Sequence, residues 1–255
     1  MTVLDRFRLD GQTAIVTGGN RGIGRAIATG LAEVGANVVV ANRDGESGRK
    51  AAEEIAAETG AETLAVETDV TDEGDVEAMV TATVEAFDDV DVLVNNAGIV
   101  HHNAVEDKSV AEFAETLDVN LTGAYRCAKY AGEVMKAGDG GAILNVSSMS
   151  AFVANYPQRQ VDYQASKGGL EAFKTQLAAE WAEYGIRVNN VNPGYVDTGI
   201  LVDDQSVIDA WKSEMLVDEF ASPEDIAPLA VYLVSDAAWY VTGESVVIDG
   251  GYTVT

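Results

Sequence analysis

A five-residue apolar segment running straight into a glycine-rich turn constrains this chain more than any other feature. Thr13 to Thr17 reads Thr-Ala-Ile-Val-Thr, and Gly18-Gly19-Asn20-Arg21-Gly22-Ile23-Gly24 follows without a break. Ala26, Ile27, Ala28, Leu31 and Val34 then recur at helical spacing. A strand, a glycine turn and a helix in that order form a phosphate cradle, because the helix start offers unpaired N–H groups and a positive dipole end. Gly18 would permit the tight turn, Gly22 the close approach of a pyrophosphate, and Gly24 the packing of helix on strand. A dinucleotide is therefore expected against Gly18, Asn20, Arg21, Gly22 and Ile23.

A second stretch carries chemistry. Tyr163 and Lys167 lie four apart in Tyr-Gln-Ala-Ser-Lys, so on a helix they share one face. A phenol near its reference pKa of roughly 10 is a poor base at neutral pH. An ammonium about 5 Å away, at an effective dielectric near 20, favours phenolate by roughly 3 kcal/mol. That shift is large enough to let a tyrosine move a proton on or off a hydroxyl.

Strand and helix patterns alternate along the whole chain, which predicts an α/β fold with a doubly wound parallel sheet. Strands are expected at Thr13–Thr17, Asn37–Ala41, Thr63–Glu67, Val90–Asn95, Ala142–Ser147, Arg187–Pro193 and Ser245–Ile248. Helices are expected near Ile23–Val34, Glu46–Thr59, Glu73–Phe87, Val110–Gly132, Val161–Tyr184 and Pro223–Val234. Ligands of such sheets sit beyond the carboxyl ends of the strands, where Gly18, Asn96, Ser148 and Pro193 fall. With four prolines, no repeat and no low-complexity tract in 255 residues, one domain spanning 1–255 is expected.

Taken in order, these marks resemble the short-chain dehydrogenase/reductase family over about Leu9 to Gly251. They are Thr17 to Gly24, Thr68-Asp69-Val70, Asn95-Asn96-Ala97-Gly98, Asn120, Ser148, Tyr163 with Lys167, Pro193-Gly194 with Thr198, and Thr242-Gly243 to Asp249-Gly250-Gly251. The resemblance implies a Rossmann-type sheet of seven strands and a hydride exchanged between a nicotinamide and an alcohol or carbonyl carbon. It assigns Tyr163 as proton donor or acceptor and Lys167 as the group that tunes it, with both bonding the nicotinamide ribose. Ser148 would bond the substrate oxygen, with Ser147 as the runner-up, and Asn120 would hold a water linking Lys167 to solvent. Asp69 and Val70 would bracket the adenine, and Asn96, Ala97 and Gly98 would pass beside its ribose. Pro193, Gly194, Val196 and Thr198 would frame the carboxamide and pyrophosphate. The family's substrate lid is expected near 197–220, with apolar Ile200, Leu201 and Trp211 among acids.

The end of the second strand discriminates between cofactors. An NAD site commonly has an Asp there, accepting from the ribose hydroxyls, whereas this chain has Asn42 followed by Arg43. Arg43 and Arg21 converging on one phosphate favour NADP, while Asp44 leaves NAD possible. The segment Ser148-Met149-Ser150 through Asn155, Gln158 and Gln160 to Tyr163 resembles polyol-type members. Ser148, Asn155, Gln160 and Tyr163 are accordingly expected at a polyol, sugar or sugar acid. The lid has no cluster of Lys or Arg for a phosphorylated or carrier-bound substrate. A 3-oxoacyl thioester reductase is the alternative, and a non-catalytic dinucleotide sensor a more distant one. No zinc-like ligand spacing surrounds His101 and His102, so no metal is expected; either histidine could line the substrate mouth.

Charge narrows the setting. Asp and Glu number 42 against 16 Lys and Arg, a net charge of −26, which disfavours nucleic acid and anionic membranes as partners. The acids are dispersed, and self-repulsion on this scale is relieved by salt, since the Debye length falls to about 3 Å at 1 M. A salt-rich cytoplasm such as that of halophilic archaea is the expectation; an acidic face for a basic partner is the alternative. A lone Cys127 and no leader-like apolar region agree with a cytoplasmic protein. Trp239, Tyr240 and Tyr252 near the C-terminus are expected to pack across a two-fold axis in a homotetramer.

Overall fold

Alternation along each strand decides the layering. In β1 (Thr13–Thr17), Ala14 and Val16 point into one apolar cluster and Ile15 into another, as a period of two requires. The first cluster is completed by α1 (Gly22–Glu33), α2 (Gly45–Thr59) and α8 (Pro223–Val234) through Ile27, Leu31, Ile55 and Ile226. The second is completed on the opposite face by α3 (Glu73–Phe87), α5 (Gly123–Ala137) and α6 (Val161–Trp181) through Met79, Met135 and Leu177. Both faces of the sheet are thus buried, which accounts for the nearly continuous apolar strands. This computed structural model describes residues 1–199 and 205–255.

The other strands are β2 (Asn37–Asn42), β3 (Thr63–Glu67), β4 (Val92–Asn95), β5 (Gly141–Val146), β6 (Ile186–Pro193) and β7 (Ser245–Ile248). All seven pair in parallel in the order β3-β2-β1-β4-β5-β6-β7, so the expected Rossmann-type sheet is present. Between β1 and β4 the winding reverses, which opens a crevice at their carboxyl ends.

Three local differences from the sequence reading have physical causes. The single helix expected over Val110–Gly132 is α4 (Val110–Leu117), a π turn over Asp118–Thr122, then α5. The wide turn falls where Asn120 is tied to Ile99, and tertiary bonds of that kind have no periodic signature. Second, α2 begins at Gly45 because Asp44 caps it, accepting from the Ser47 amide at 3.2 Å. Third, a helix α7 (Gln205–Ser213) occupies part of the expected lid, while Ile200 and Leu201 lie outside the described residues. Trp211 of α7 stacks on Tyr195 with centroids 4.6 Å apart, and Tyr252 packs edge-on against the same ring at 5.5 Å. Tyr252 is therefore engaged within its own chain, whereas Trp239 and Tyr240 are 63% and 86% exposed. No helix among the described residues is long and apolar enough to cross a membrane.

Candidate active site and cofactor cleft

The crevice holds an open cavity of about 700 Å³. Gly18, Asn20, Arg21, Gly22 and Ile23 line it from the glycine turn, and Asn42 and Arg43 from the end of β2. Asp69, Val70, Asn96, Ala97, Gly98 and Thr198 complete its expected walls. Pro193 ends β6, Gly194 donates to Ile248 O at 2.9 Å and Val196 bridges Ala221; these three stand beside the cavity rather than in its lining.

The cradle fits a dinucleotide phosphate on two observations. Gly18 has φ +65°, and a Cβ there would sit 2.9 Å from Asn96 Nδ2 and 3.2 Å from Ala97 Cα. A Cβ on Gly24 would collide with Asn96 Nδ2 and Gly18 O, so glycine alone lets α1 start this close to β1 and β4. Asn96 locks the approach: its Nδ2 donates to Thr17 O at 2.9 Å and Gly18 O at 3.2 Å. At the β2 end, Asn42 Nδ2 donates to Asp44 O at 2.6 Å while its Oδ1 is buried without a partner. Asp44 spends its carboxylate on the α2 cap, which holds its pKa below the ordinary value through the Ser47 amide and hydroxyl. Arg21 and Arg43 are exposed at the rim. Asp69 turns its carboxylate onto Thr71, accepting from N at 2.9 Å and Oγ1 at 2.7 Å.

The catalytic candidates converge from three elements. Lys167 of α6 is 4% exposed and donates to Val146 O at the end of β5 at 2.7 Å, with Nζ 5.4 Å from the centre of the Tyr163 ring. Burial pushes its pKa down to about 8, opposed by the Glu171 carboxylate one turn on. Burial pushes the Tyr163 phenol up, against the direction expected from Lys167, and the Ser148 hydroxyl only partly offsets it. Ser147 and Ser148 separate cleanly. Ser147 Oγ donates to Lys167 O at 3.3 Å and is buried against α6, whereas Ser148 stands beside Tyr163 and bonds Ser150 Oγ at 3.1 Å.

Asn120 sits in the π turn with its amide committed to the strand-end loop. It accepts from Ile99 N at 2.8 Å and donates to Ile99 O at 2.9 Å and Ser166 Oγ at 3.0 Å. With Lys167 it borders a narrow gap that shares Val70, Ala97 and Val119 with the dinucleotide cavity, so the catalytic face of α6 abuts the cleft.

Asn155 and Gln160 are buried and bonded together: Gln160 Nε2 donates to Asn155 Oδ1 and to Ser150 Oγ, both at 3.3 Å. They brace the Ser148–Ser150 turn. Gln158 accepts from Tyr195 OH at 3.2 Å. His101 Nε2 lies 3.3 Å from the Glu115 carboxylate of α4, and no group of three metal-ligating side chains occurs among the described residues.

Sequence reasoning missed Asn192 and Glu171. Asn192 Nδ2 donates to Ser148 O at 3.2 Å and to Glu171 Oε1 at 2.6 Å, and Ser245 Oγ makes a short bond to Glu171 Oε2. Burial acts to raise the Glu171 pKa, but Ser245 and Asn192 outweigh it and keep the carboxylate ionised. The one available signal was spacing, since Glu171 follows Lys167 by four residues on the face that carries Tyr163.

Known proteins resemble this chain in sequence and fold. A family model described as enoyl-(acyl carrier protein) reductase matches residues 18–253. The NADP-dependent mannitol dehydrogenase of Hypocrea jecorina is 37% identical over 98% of this chain and 96% of its own. A short-chain type dehydrogenase/reductase from Mycobacterium marinum superposes over all of both chains with TM-score 0.93 and 36% identity. A gluconate 5-dehydrogenase from Burkholderia cenocepacia J2315, solved with NADP and tartrate, does so with TM-score 0.94 and 32% identity. Whole-chain identity of this order, on top of the glycine cradle and the Tyr163–Lys167 face, places the chain in the short-chain dehydrogenase/reductase family, as an NAD(P)-dependent oxidoreductase of CH–OH groups.

Proposed function

We propose that the protein interconverts a secondary alcohol and a ketone of a polyol, sugar or sugar acid, with NADP as its cofactor. The observation that carries this reading is a glycine-cradled cleft, with Asn42 and Arg43 at its β2 end, that adjoins the gap lined by Lys167, one helical turn from Tyr163. Asp44, the acid that argued for NAD, stands in the cleft lining with its carboxylate engaged by the Ser47 amide as a helix cap. The mannitol and gluconate relatives support the substrate class.

When bound, the nicotinamide supplies or accepts the hydride. Tyr163 gives a proton to the carbonyl oxygen in reduction and takes it back in oxidation. Ser148 donates to the same oxygen, where negative charge develops. Lys167, held by Val146 O, carries the positive charge that favours phenolate once a ribose shares its shell, and Asn120 joins its interior gap. Asn155 and Gln160 offer amides to further hydroxyls by exchanging the bond between them. The segment near 197–220, with α7, serves as the lid.

Exposed acids Glu53, Glu54, Glu58, Glu62, Glu67, Asp72, Glu73 and Glu77 are spread over the surface, which supports work in a salt-rich cytoplasm. Exposed Trp239 and Tyr240 support a homotetramer; light scattering in molar KCl reading a monomer would remove it. Activity is tested by following NADPH absorbance against ketoses, polyols, aldonates and acetoacetyl thioesters in molar KCl. Turnover with a polyol–ketose pair is expected. Turnover confined to thioesters would replace this reading by the reductase alternative.

A further inference from the structure

Residues 96–109 form no regular element, and their far end is fastened to the catalytic helix by a sealed ion pair. Lys108 Nζ lies 3.0 Å from Asp162 Oδ2, with the two side chains 2% and 0% exposed. The same ammonium donates to His101 O at 2.9 Å, and the Thr116 hydroxyl of α4 donates to the same Asp162 oxygen at 2.7 Å. Despite its burial, the Thr116 hydroxyl and the Lys108 ammonium hold the Asp162 carboxyl below its ordinary pKa. Apart from Lys174–Glu171, every other ion pair among the described residues leaves one partner at least 43% exposed.

A buried pair of this kind is weak as a source of stability, because desolvation of both ions opposes their attraction. Here the satisfaction is also incomplete, since Asp162 Oδ1 is buried with no hydrogen-bond partner. What the pair does achieve is geometric. It joins the loop after β4, the body of α4 and the first turn of α6 at the residue next to Tyr163. Lys167 fixes the same helix one turn later to β5, so the phenol is clamped from both sides.

We propose that Lys108 and Asp162 are positioning residues: their ion pair sets the 100–109 part of this loop as a fixed wall of the substrate site and orients the turn that presents Tyr163. The proposal rests on the oxidoreductase reading and deepens it. A displacement of about 1 Å at a reacting group can lower the rate by roughly 100-fold, so such a latch acts on turnover without touching substrate.

The test compares Lys108→Met, Asp162→Asn and the double variant, each for Tm, NADPH affinity by fluorescence, and kcat and KM. The assay uses whichever alcohol or ketone the unaltered enzyme turns over. Lys108→Met strands a buried carboxylate and lowers Tm by roughly 10 °C. Removing both charges recovers most of that loss. The double variant is expected to keep NADPH affinity within about twofold while KM rises and kcat/KM falls by at least about tenfold. Wild-type kcat and KM in a stable double variant would overturn the proposal and leave the pair purely structural. Should the double variant not fold, Thr116→Val keeps the ion pair but removes one bond to Asp162; a rise in KM of about threefold supports the latch, and an unchanged KM overturns it. Failure of the parent reading shows separately, as an unaltered enzyme that binds NADPH and turns over no polyol, sugar or sugar acid.

Discussion

Around Gly18 the site is made of backbone; around Ser148 it is made of side chains. The dinucleotide cradle depends on two strand ends, a turn at φ +65° and positions where no Cβ fits, so its shape follows directly from where glycines stand. The alcohol side depends on Ser148 held by Asn192, Asn192 held by Glu171, and Tyr163 flanked by a sealed ion pair. A backbone cradle tolerates change at its rim, whereas a side-chain network transmits it. The two halves should therefore answer substitution differently, in affinity on one side and in turnover on the other.

Tyr163→Phe sharpens that contrast most. It removes one hydroxyl from the alcohol side and leaves the cleft lining intact, since Tyr163 does not border the dinucleotide cavity. Turnover should fall by at least about 100-fold while NADPH still binds. Stopped-flow rates together with fluorescence titration measure both quantities. Retained turnover would remove Tyr163 from its proposed role.

Legibility divided along the same line. The glycine turn, the alternating elements and the Tyr163–Lys167 pair were readable because each is a local spacing, and the parallel sheet followed from that alternation. Asn120 was identified but not its π turn, because that widening is set by bonds to Ile99 across the fold. Lys108 and Asp162 gave no signal, since a lysine in a loop and an aspartate in a helix's first turn are ordinary surface residues until the chain folds. Asn155 and Gln160 were chosen as polar donors near Tyr163, and sequence could not reveal that they bond each other. Ser148 was preferred to Ser147 by resemblance, and the fold adds the physical reason, since the Ser147 hydroxyl faces α6.

The cleft half makes the opposite prediction at Arg43. Replacing it with Ala removes a guanidinium at the β2 end without altering the glycine cradle. Charge-assisted bonds to a phosphate contribute about 1.5–3 kcal/mol, so the KM for NADP should rise by about 10- to 100-fold while kcat at saturation and the KM for NAD stay near their original values. A fall in kcat with unchanged KM would show that the two halves are not separable. In molar salt the smaller end of the range applies, because the charge term is screened.

Glu171→Gln gives the smallest effect and bears on the seam between the halves. Lys167 belongs to both, since it would grip the ribose and faces the Tyr163 ring. Its pKa is pushed down to about 8 by burial, and Glu171 is the charge that opposes this. The ammonium is present below that value and lost as pH rises through it, so NADPH affinity should decline above about pH 8 in the unaltered enzyme. Glutamine keeps an acceptor for Asn192 but withdraws the carboxylate, so Lys167 releases its proton more readily and the decline begins at lower pH. Well below pH 8 the two proteins should bind alike, because the lysine is charged in both. Identical affinity curves across the whole range would mean that Glu171 serves Ser148 through Asn192 alone. A loss that is the same at every pH would mean that it holds the geometry of Lys167 rather than its charge.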